Sequence, residues 1–185
     1  MSDALNQDNA TTTEQDTLLI ADDHVVAFHY KLCEVTQDGN KSAWLEQSSG
    51  RQPLYYLHGH ANVIAGLEQA MTGKKAGDKL SITLPPEQAY GFRQANSIQR
   101  VPIKHLHIPA GQKALKAGTI VGVQTNQGVR SALVVKPGRF HADIDTNHPF
   151  AGRTLHYEIE IISVRAASAE EIAHRHVHGP GGHHH

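Results

Sequence analysis

Leu54-Tyr55-Tyr56-Leu57-His58-Gly59-His60-Ala61-Asn62-Val63-Ile64-Ala65-Gly66-Leu67-Glu68-Gln69-Ala70-Met71 is the stretch from which the fold can be read. Its first four residues are apolar or aromatic and predict a strand. His58-Gly59-His60 breaks that strand. Asn62 is placed as the N-cap of a short helix, since its side chain can accept from an exposed backbone amide, and Gly73 as its stop. Val63, Ile64, Leu67 and Met71 then fall on one helical stripe. Such a stripe needs an apolar surface to cover, and the strands on either side supply it.

Towards the N-terminus, residues 25–35 read as a strand whose Val26, Phe28, Tyr30 and Leu32 share a face by the two-residue period. Gln37-Asp38-Gly39-Asn40 is a turn. Residues 42–47 are expected to be extended around Trp44, Leu45 and Glu46, and residues 48–53 to form a polar loop. Residues 1–20 are taken as a disordered tail, with apolar residues gathering only at Leu18-Leu19-Ile20. Towards the C-terminus, residues 79–84 alternate, with Leu80, Ile82 and Leu84 on one side, until Pro85-Pro86 ends the strand. Ala89-Tyr90-Gly91-Phe92 is a loop. From residue 99 to 148 helical periodicity disappears. Short β pieces recur at 119–125, 130–135 and 140–144, separated by turns at Gln127-Gly128 and Pro137-Gly138. Residues 154–164 alternate again, setting Leu155, Tyr157, Ile159 and Ile161 against His156, Glu158 and Glu160. Ser168-Ala169-Glu170-Glu171 has the form of a capping box opening a last helix. The sum is an α+β fold. A curved antiparallel sheet wraps on one short helix, and a small all-β unit is inserted between the penultimate and last strands, as a surface loop allows.

Composition removes several function classes. The 185 residues suit one domain or two small ones. A formal net charge of −1 gives no electrostatic case for a nucleic-acid partner. No apolar run approaches the ~18 residues of a membrane span, so no membrane partner is expected. The polar start lacks the pattern of a secretory signal, and a lone cysteine, Cys33, makes no intrachain disulfide. A cytoplasmic monomer is expected. There is no Gly-rich phosphate loop, no Gly-x-Ser-x-Gly elbow, no Cys-x-x-Cys and no His-Glu-x-x-His. Cys33 sits within a strand and reads as buried and inert. Glu46, taken alone, reads as a solvated strand edge, and His58 and His60 as loop residues.

Taken together, several pieces resemble one family. They are Tyr55-Tyr56-Leu57-His58-Gly59-His60, Ile64-Ala65-Gly66-Leu67-Glu68, Gly77-Asp78-Lys79, Ala89-Tyr90-Gly91, Gln99-Arg100-Val101-Pro102 and Asn147-His148-Pro149-Phe150-Ala151-Gly152. In order and spacing they are similar to the SlyD-type FKBP peptidyl-prolyl isomerases over residues 24–178. The resemblance implies an FKBP-like isomerase part at 21–97 and 149–166, an insert-in-flap chaperone domain at 98–148, and a C-terminal helix with a histidine-rich metal-binding tail at 167–185. It implies proline isomerisation in the first and binding of unfolded chains by the second. Carried over by residue, the proline pocket is Tyr30, Leu45, Glu46, Leu54, Val63, Ile64, Leu67, Tyr90 and Tyr157. The loop before Leu45-Glu46 is longer than the family's, and the usual acid there is aspartate. The strand and helix parities agree with such a cup, though without the resemblance the same residues read more readily as ordinary core. The insert's client surface is expected from Ile120, Val121, Val123, Leu133, Val134, Val135, Phe140 and Ile144, because so small a unit cannot bury all its apolar surface.

Histidine is the compositional outlier, with 15 in the chain and six of them in the last twelve residues. No cofactor is needed for isomerisation, but neutral imidazoles suit nickel, zinc or copper. In an extended tail His174, His176 and His178 share one side; in a continuing helix only His174 and His178 do. Those three are the expected ligands. His183 to His185 stand second, since a terminal histidine run is also the form of a purification tag. The expected partners are unfolded or proline-containing polypeptides and divalent metal ions. Two other readings stay open: a metal-handling protein, and a chain-binding module on an inactive scaffold.

Overall fold

The computed structural model describes residues 18–111, 114–126 and 128–178. The chain starts with β1 (His24–Val35), β2 (Glu46–Gln47), β3 (Leu54–Leu57), helix α1 (Ala65–Met71) and β4 (Lys79–Leu84). It continues through β5 (Ile98–Pro102), β6 (Leu106–His107), β7 (Ile120–Thr125), β8 (Gly128–Pro137) and β9 (His141–Asp145). It closes with β10 (Thr154–Ala166) and helix α2 (Ala169–His174). These elements form two compact units, Met1–Ala89 with Thr154–His185, and Tyr90–Arg153. Among the described residues no helix is long and apolar enough to cross a membrane.

In the first unit all strand pairs are antiparallel. β10 lies between β1 and β4, and the far edge of β1 is shared by β2 and β3. Alternation sets the two faces. Phe28, Tyr30 and Leu32 of β1, Leu54 and Tyr56 of β3, Leu155, Tyr157 and Ile159 of β10 and Leu84 of β4 face one way. Helix α1 covers that face: Met71 is buried with its Sδ 3.9 Å from the Tyr56 hydroxyl. Gly66 lies so close that a Cβ there would meet Leu84 Cδ2 at 2.5 Å and the Gln88 carbonyl oxygen at 2.8 Å. On the opposite face Val25 and Leu57 pack with Val177 and Ala167 from the C-terminal segment, and Cys33 and His156 are also buried. A bulge between Ala27 and Phe28 leaves Ile162 of β10 unpaired and exposed, and Val164, one residue out of the earlier alternation, becomes buried.

Three expectations change here. Ile20, placed in the tail, is core: it is buried, its amide donates to the Lys74 carbonyl, and its carbonyl accepts from Gly73. The rest of that expected tail, residues 1–17, lies outside the described residues. Asn62 does not cap α1. Its Oδ1 accepts from the Leu57 amide and its Nδ2 donates to the His60 and Arg175 carbonyls, so Ile64 opens the helix without a side-chain cap. Residues 42–47 are not one strand: only Glu46 and Gln47 pair with β1, and Lys41 makes a single bridge to Val35.

The second unit is one antiparallel sheet in the order β5-β9-β8-β7-β6. Its core is Leu106, Val121, Val123, Ala132, Val134, Ala142 and Ile144, with Val101 and Leu115 against it. Strands β5 and β6 are additions to the sequence reading, β8 starts at Gly128, and Gln127 of the expected turn lies outside the described residues. The unit is wider than 98–148 because its two ends are tied together. The Gly152 amide donates to the Gly91 carbonyl at 2.7 Å, and the Asn147 side chain bonds the Gln94 amide and carbonyl.

Candidate functional site

The first unit carries an aromatic cluster on the face that α1 covers. Phe28 and Tyr56 meet edge to face with ring centres 5.7 Å apart, Phe28 and Tyr30 lie at 6.1 Å, and Tyr30 and Tyr157 at 6.3 Å. Phe28, Tyr56 and Tyr157 are buried, whereas Tyr30 is half-buried at the rim. Register explains the grouping: Leu54 stands opposite Phe28 and Tyr157 opposite Leu32. Leu67 is buried on α1, and Val63 and Ile64 lead into it half-buried.

Glu46 is where the two sequence readings meet. It is exposed, as a strand-edge acid should be, yet the Tyr30 hydroxyl donates to its Oε1. Glu46 pairs with Leu32, so it sits diagonally from Tyr30 on the same face. Tyr30 is itself fixed through Ser48, whose Oγ accepts from the Tyr30 amide at 2.9 Å. Leu45 and Trp44 are exposed. Lys31, on the other face, pairs with Glu158 at 2.7 Å and lies 4.4 Å from the centre of the Trp44 ring. Phe28 and Tyr56 join this cluster, although the sequence points only to Phe28, by its place on the face of Tyr30.

Tyr90, the remaining expected pocket residue, belongs to the second unit. Its ring stacks on His148 at 3.9 Å and 9°, with Phe150 at 5.7 Å. The motifs around Tyr90 and around Asn147 to Gly152 are therefore one local structure.

Two buried histidines are structural. His58 takes the Tyr56 hydroxyl on Nδ1 and gives its Nε2 proton to Thr72 Oγ1, which in turn donates to the Glu68 carbonyl. Glu68 also accepts from the Gly59 amide at 2.6 Å. Burial pushes the His58 pKa below its ordinary 6.5 and the Tyr56 phenol well above its usual range. His156 accepts from Lys41 on Nε2 at 2.9 Å and donates from Nδ1 to Thr83; burial, then Lys41, hold its pKa low. His60 pairs with Asp23 at 2.7 Å.

The C-terminal histidines converge. The capping box forms as expected, with Ser168 accepting from the Glu171 amide and Glu171 accepting from Ser168. Helix α2 ends at His174 because Arg175 turns left-handed at φ 60°. Glu171 then holds the returning chain: it is buried, takes Arg165 with both oxygens, and accepts the His178 amide at 3.2 Å. Those partners, the Arg165 hydrogen bonds first, hold its pKa down to about 2. Neither an extended tail nor a continued helix describes this geometry. The left-handed turn brings His174, His176 and His178 together with one ligand atom each, all within 4.8 Å of one another. Three neutral imidazoles at that spacing fit a first-row transition metal. His183 to His185 lie outside the described residues.

The eight expected client-binding residues divide by burial. Val121, Val123, Val134 and Ile144 are the second unit's core, because alternation along β7, β8 and β9 turns them inward, and they present no surface. Leu133 is half-buried. Ile120, Val135 and Phe140 are exposed, joined by Ile98, Ile108 and Val129, which the sequence reading passed over. Val135 is exposed because a bulge between Val134 and Lys136 skips it in the pairing with β9.

A family model described as FKBP-type peptidyl-prolyl cis-trans isomerase matches residues 19–162. Among curated relatives, the FKBP-type peptidyl-prolyl cis-trans isomerase SlyD of Aeromonas hydrophila is 41% identical over 138 residues, covering 75% of this chain and 63% of that protein. SlyD of Haemophilus influenzae is 37% identical over 155 residues, 84% of this chain and 77% of its own. SlyD of Escherichia coli (strain K12) is 36% identical over 160 residues, 86% and 78%. The chain thus spans a little under two thirds of the length of the Aeromonas relative.

Proposed function

The chain belongs to the FKBP-type peptidyl-prolyl cis-trans isomerases, and from that premise we propose that its first unit speeds rotation about X-Pro bonds in unfolded or partly folded polypeptides. The aromatic cluster, with half-buried Tyr30 at the edge of buried Phe28, Tyr56 and Tyr157, is the observation that carries this reading. Rotation about a peptide bond faces a barrier of roughly 18–20 kcal/mol because resonance is lost. Uncatalysed X-Pro exchange takes ~10–100 s. Water stabilises the planar, polar amide more than the twisted one, so a cup that takes the proline ring and strips water favours the twisted state. No nucleophile is required. Tyr30 and Glu46 stand at the rim, where they orient the chain. About 4 kcal/mol of preferential binding of the twisted state gives roughly a thousandfold gain.

The second unit serves as the chain-binding part, and the exposed Ile120, Val135 and Phe140 are its contact residues. The C-terminal cluster of His174, His176 and His178 holds nickel, zinc or copper, and supports a metal-handling role beside the isomerase. The protein acts as a cytoplasmic monomer. Refolding limited by proline isomerisation is the test, run with wild type and with a chain whose second unit is replaced by a short loop. Wild type should accelerate the slow phase. The shortened chain should still act on short peptides and lose most activity on unfolded protein. An unaltered slow phase with wild type rules out the isomerase reading, and equal activity of both chains on both substrates rules out the division of labour. For the metal, calorimetric titration with nickel should lose its strong site when the three histidines become alanine.

A further inference from the structure

The formal charge of −1 hides a segregation. Tyr90–Arg153 holds nine lysines and arginines against two acids, Asp143 and Asp145, while the rest of the chain holds eight against sixteen. Both acids of the second unit already have partners: Arg93 pairs with the buried Asp145, and Arg100 donates to Asp143 at 2.8 Å. Seven positive charges remain in excess in the sequence of this unit. Two of the cations, Lys136 and Arg139, stand beside apolar surface at the turn from β8 to β9. There Lys136, Arg139 and His141, with the paired Arg100 and Asp143, border a cleft of about 270 Å³. Phe140 on the same cleft is 69% exposed, with the Arg139 guanidinium 5.2 Å from its ring centre. Val135, put outward by its bulge, adjoins Lys136.

We infer that this cleft selects polypeptide segments in which carboxylates flank apolar side chains. The inference rests on the second unit being a chain binder, as proposed above, and names the class of chain it prefers. Guanidinium and ammonium groups take carboxylates by charge-assisted hydrogen bonds. Phe140 and Val135 take the apolar neighbour. A nucleic acid would answer the charge, but single strands are held on series of aromatic platforms, and this cleft offers one ring and an aliphatic side chain. Because charges screen over about 8 Å at physiological salt, the selectivity belongs to this cleft rather than to the whole unit.

Fluorescence anisotropy on the full chain tests it. Three labelled peptides share one set of apolar residues and differ only in carrying aspartate, serine or lysine between them; a single-stranded deoxyoligonucleotide of equal length is the fourth probe. The aspartate peptide should bind about tenfold tighter than the lysine peptide at low salt, with the gap closing as salt rises. Lys136→Glu with Arg139→Glu should abolish that gap while the serine peptide still binds. If the double reversal lowers the melting midpoint, Lys136→Gln with Arg139→Gln takes its place and should narrow the gap. Equal affinity for all three peptides overturns the selectivity and leaves chain binding standing. Failure to bind any peptide overturns chain binding itself. Tighter binding of the oligonucleotide than of the aspartate peptide overturns the polypeptide assignment. Selectivity that survives both variants takes it away from this cleft.

Discussion

Tyr30 has two roles at once: its ring meets Phe28 and Tyr157, and its hydroxyl donates to Glu46. Tyr30→Phe separates these roles. The ring stays packed, so stability should change by no more than about 1 kcal/mol. If the hydroxyl and Glu46 orient the substrate, kcat/KM in proline-limited refolding should fall about fivefold, equivalent to about 1 kcal/mol. An unchanged rate would make the bond an ornament of the rim. Tyr30 and Tyr157 could be placed on one face from parity alone. Glu46 could not, because its partner lies on a diagonal between β1 and β2, and register is not written in a two-residue strand. His58 gives the residue scale its pH dependence. Its pKa is held below 6.5, so below that pH the unfolded chain takes up a proton that the folded chain refuses. His156 acts in the same direction. Stability should therefore be full above about pH 6.5 and decline as pH falls from there. His58→Gln, followed by urea unfolding across pH, should flatten part of that decline.

Helix α1 shows what a pattern can and cannot give. Leu67 and Met71 of its stripe and its stop at Gly73 were readable, whereas Val63 and Ile64 of that stripe precede the helix; Gly73 does turn left-handed at φ 75°. Its start was not, since the asparagine that looks like a cap is spent on Leu57 and Arg175, contacts set by tertiary structure. The same helix rests on Leu84 only because Gly66 has no Cβ. Gly66→Ala gains helix propensity yet must push α1 off the sheet, so a net loss of about 1–3 kcal/mol is expected in thermal unfolding. A rise in melting midpoint would show that Leu84 moves aside freely. The C-terminal turn was hidden for another reason. Arginine in the left-handed region is uncommon, and only the buried Glu171, reaching Arg165, Ser168 and His178, makes it the better choice. Glu171→Gln should lose roughly 2–3 kcal/mol, from its charged hydrogen bonds, and weaken nickel binding by loosening His178. Strong nickel binding by that variant, in calorimetry, would mean the three imidazoles gather without the anchor.

At the scale of the molecule the inserted β unit was readable because helical periodicity stops at residue 99, but its edges were not. They are set by hydrogen bonds between residues more than fifty positions apart, such as Gln94 with Asn147. The central position of β10 has a consequence in time. Synthesis runs from the N-terminus, and β10 is the last strand made, although it lies between β1 and β4. On the ribosome β1 and β4 must wait, their facing edges unpaired, while the whole of Tyr90–Arg153 emerges. That unit is continuous in sequence and needs nothing downstream to close its sheet. A chain halted at Arg153 should therefore protect the amides of β7, β8 and β9 from hydrogen exchange and leave those of β1 open. Protection of β1 in that halted chain would show that the first sheet closes without its middle strand. On the roles proposed above, a nascent molecule would be able to grip another chain before it could turn a single proline.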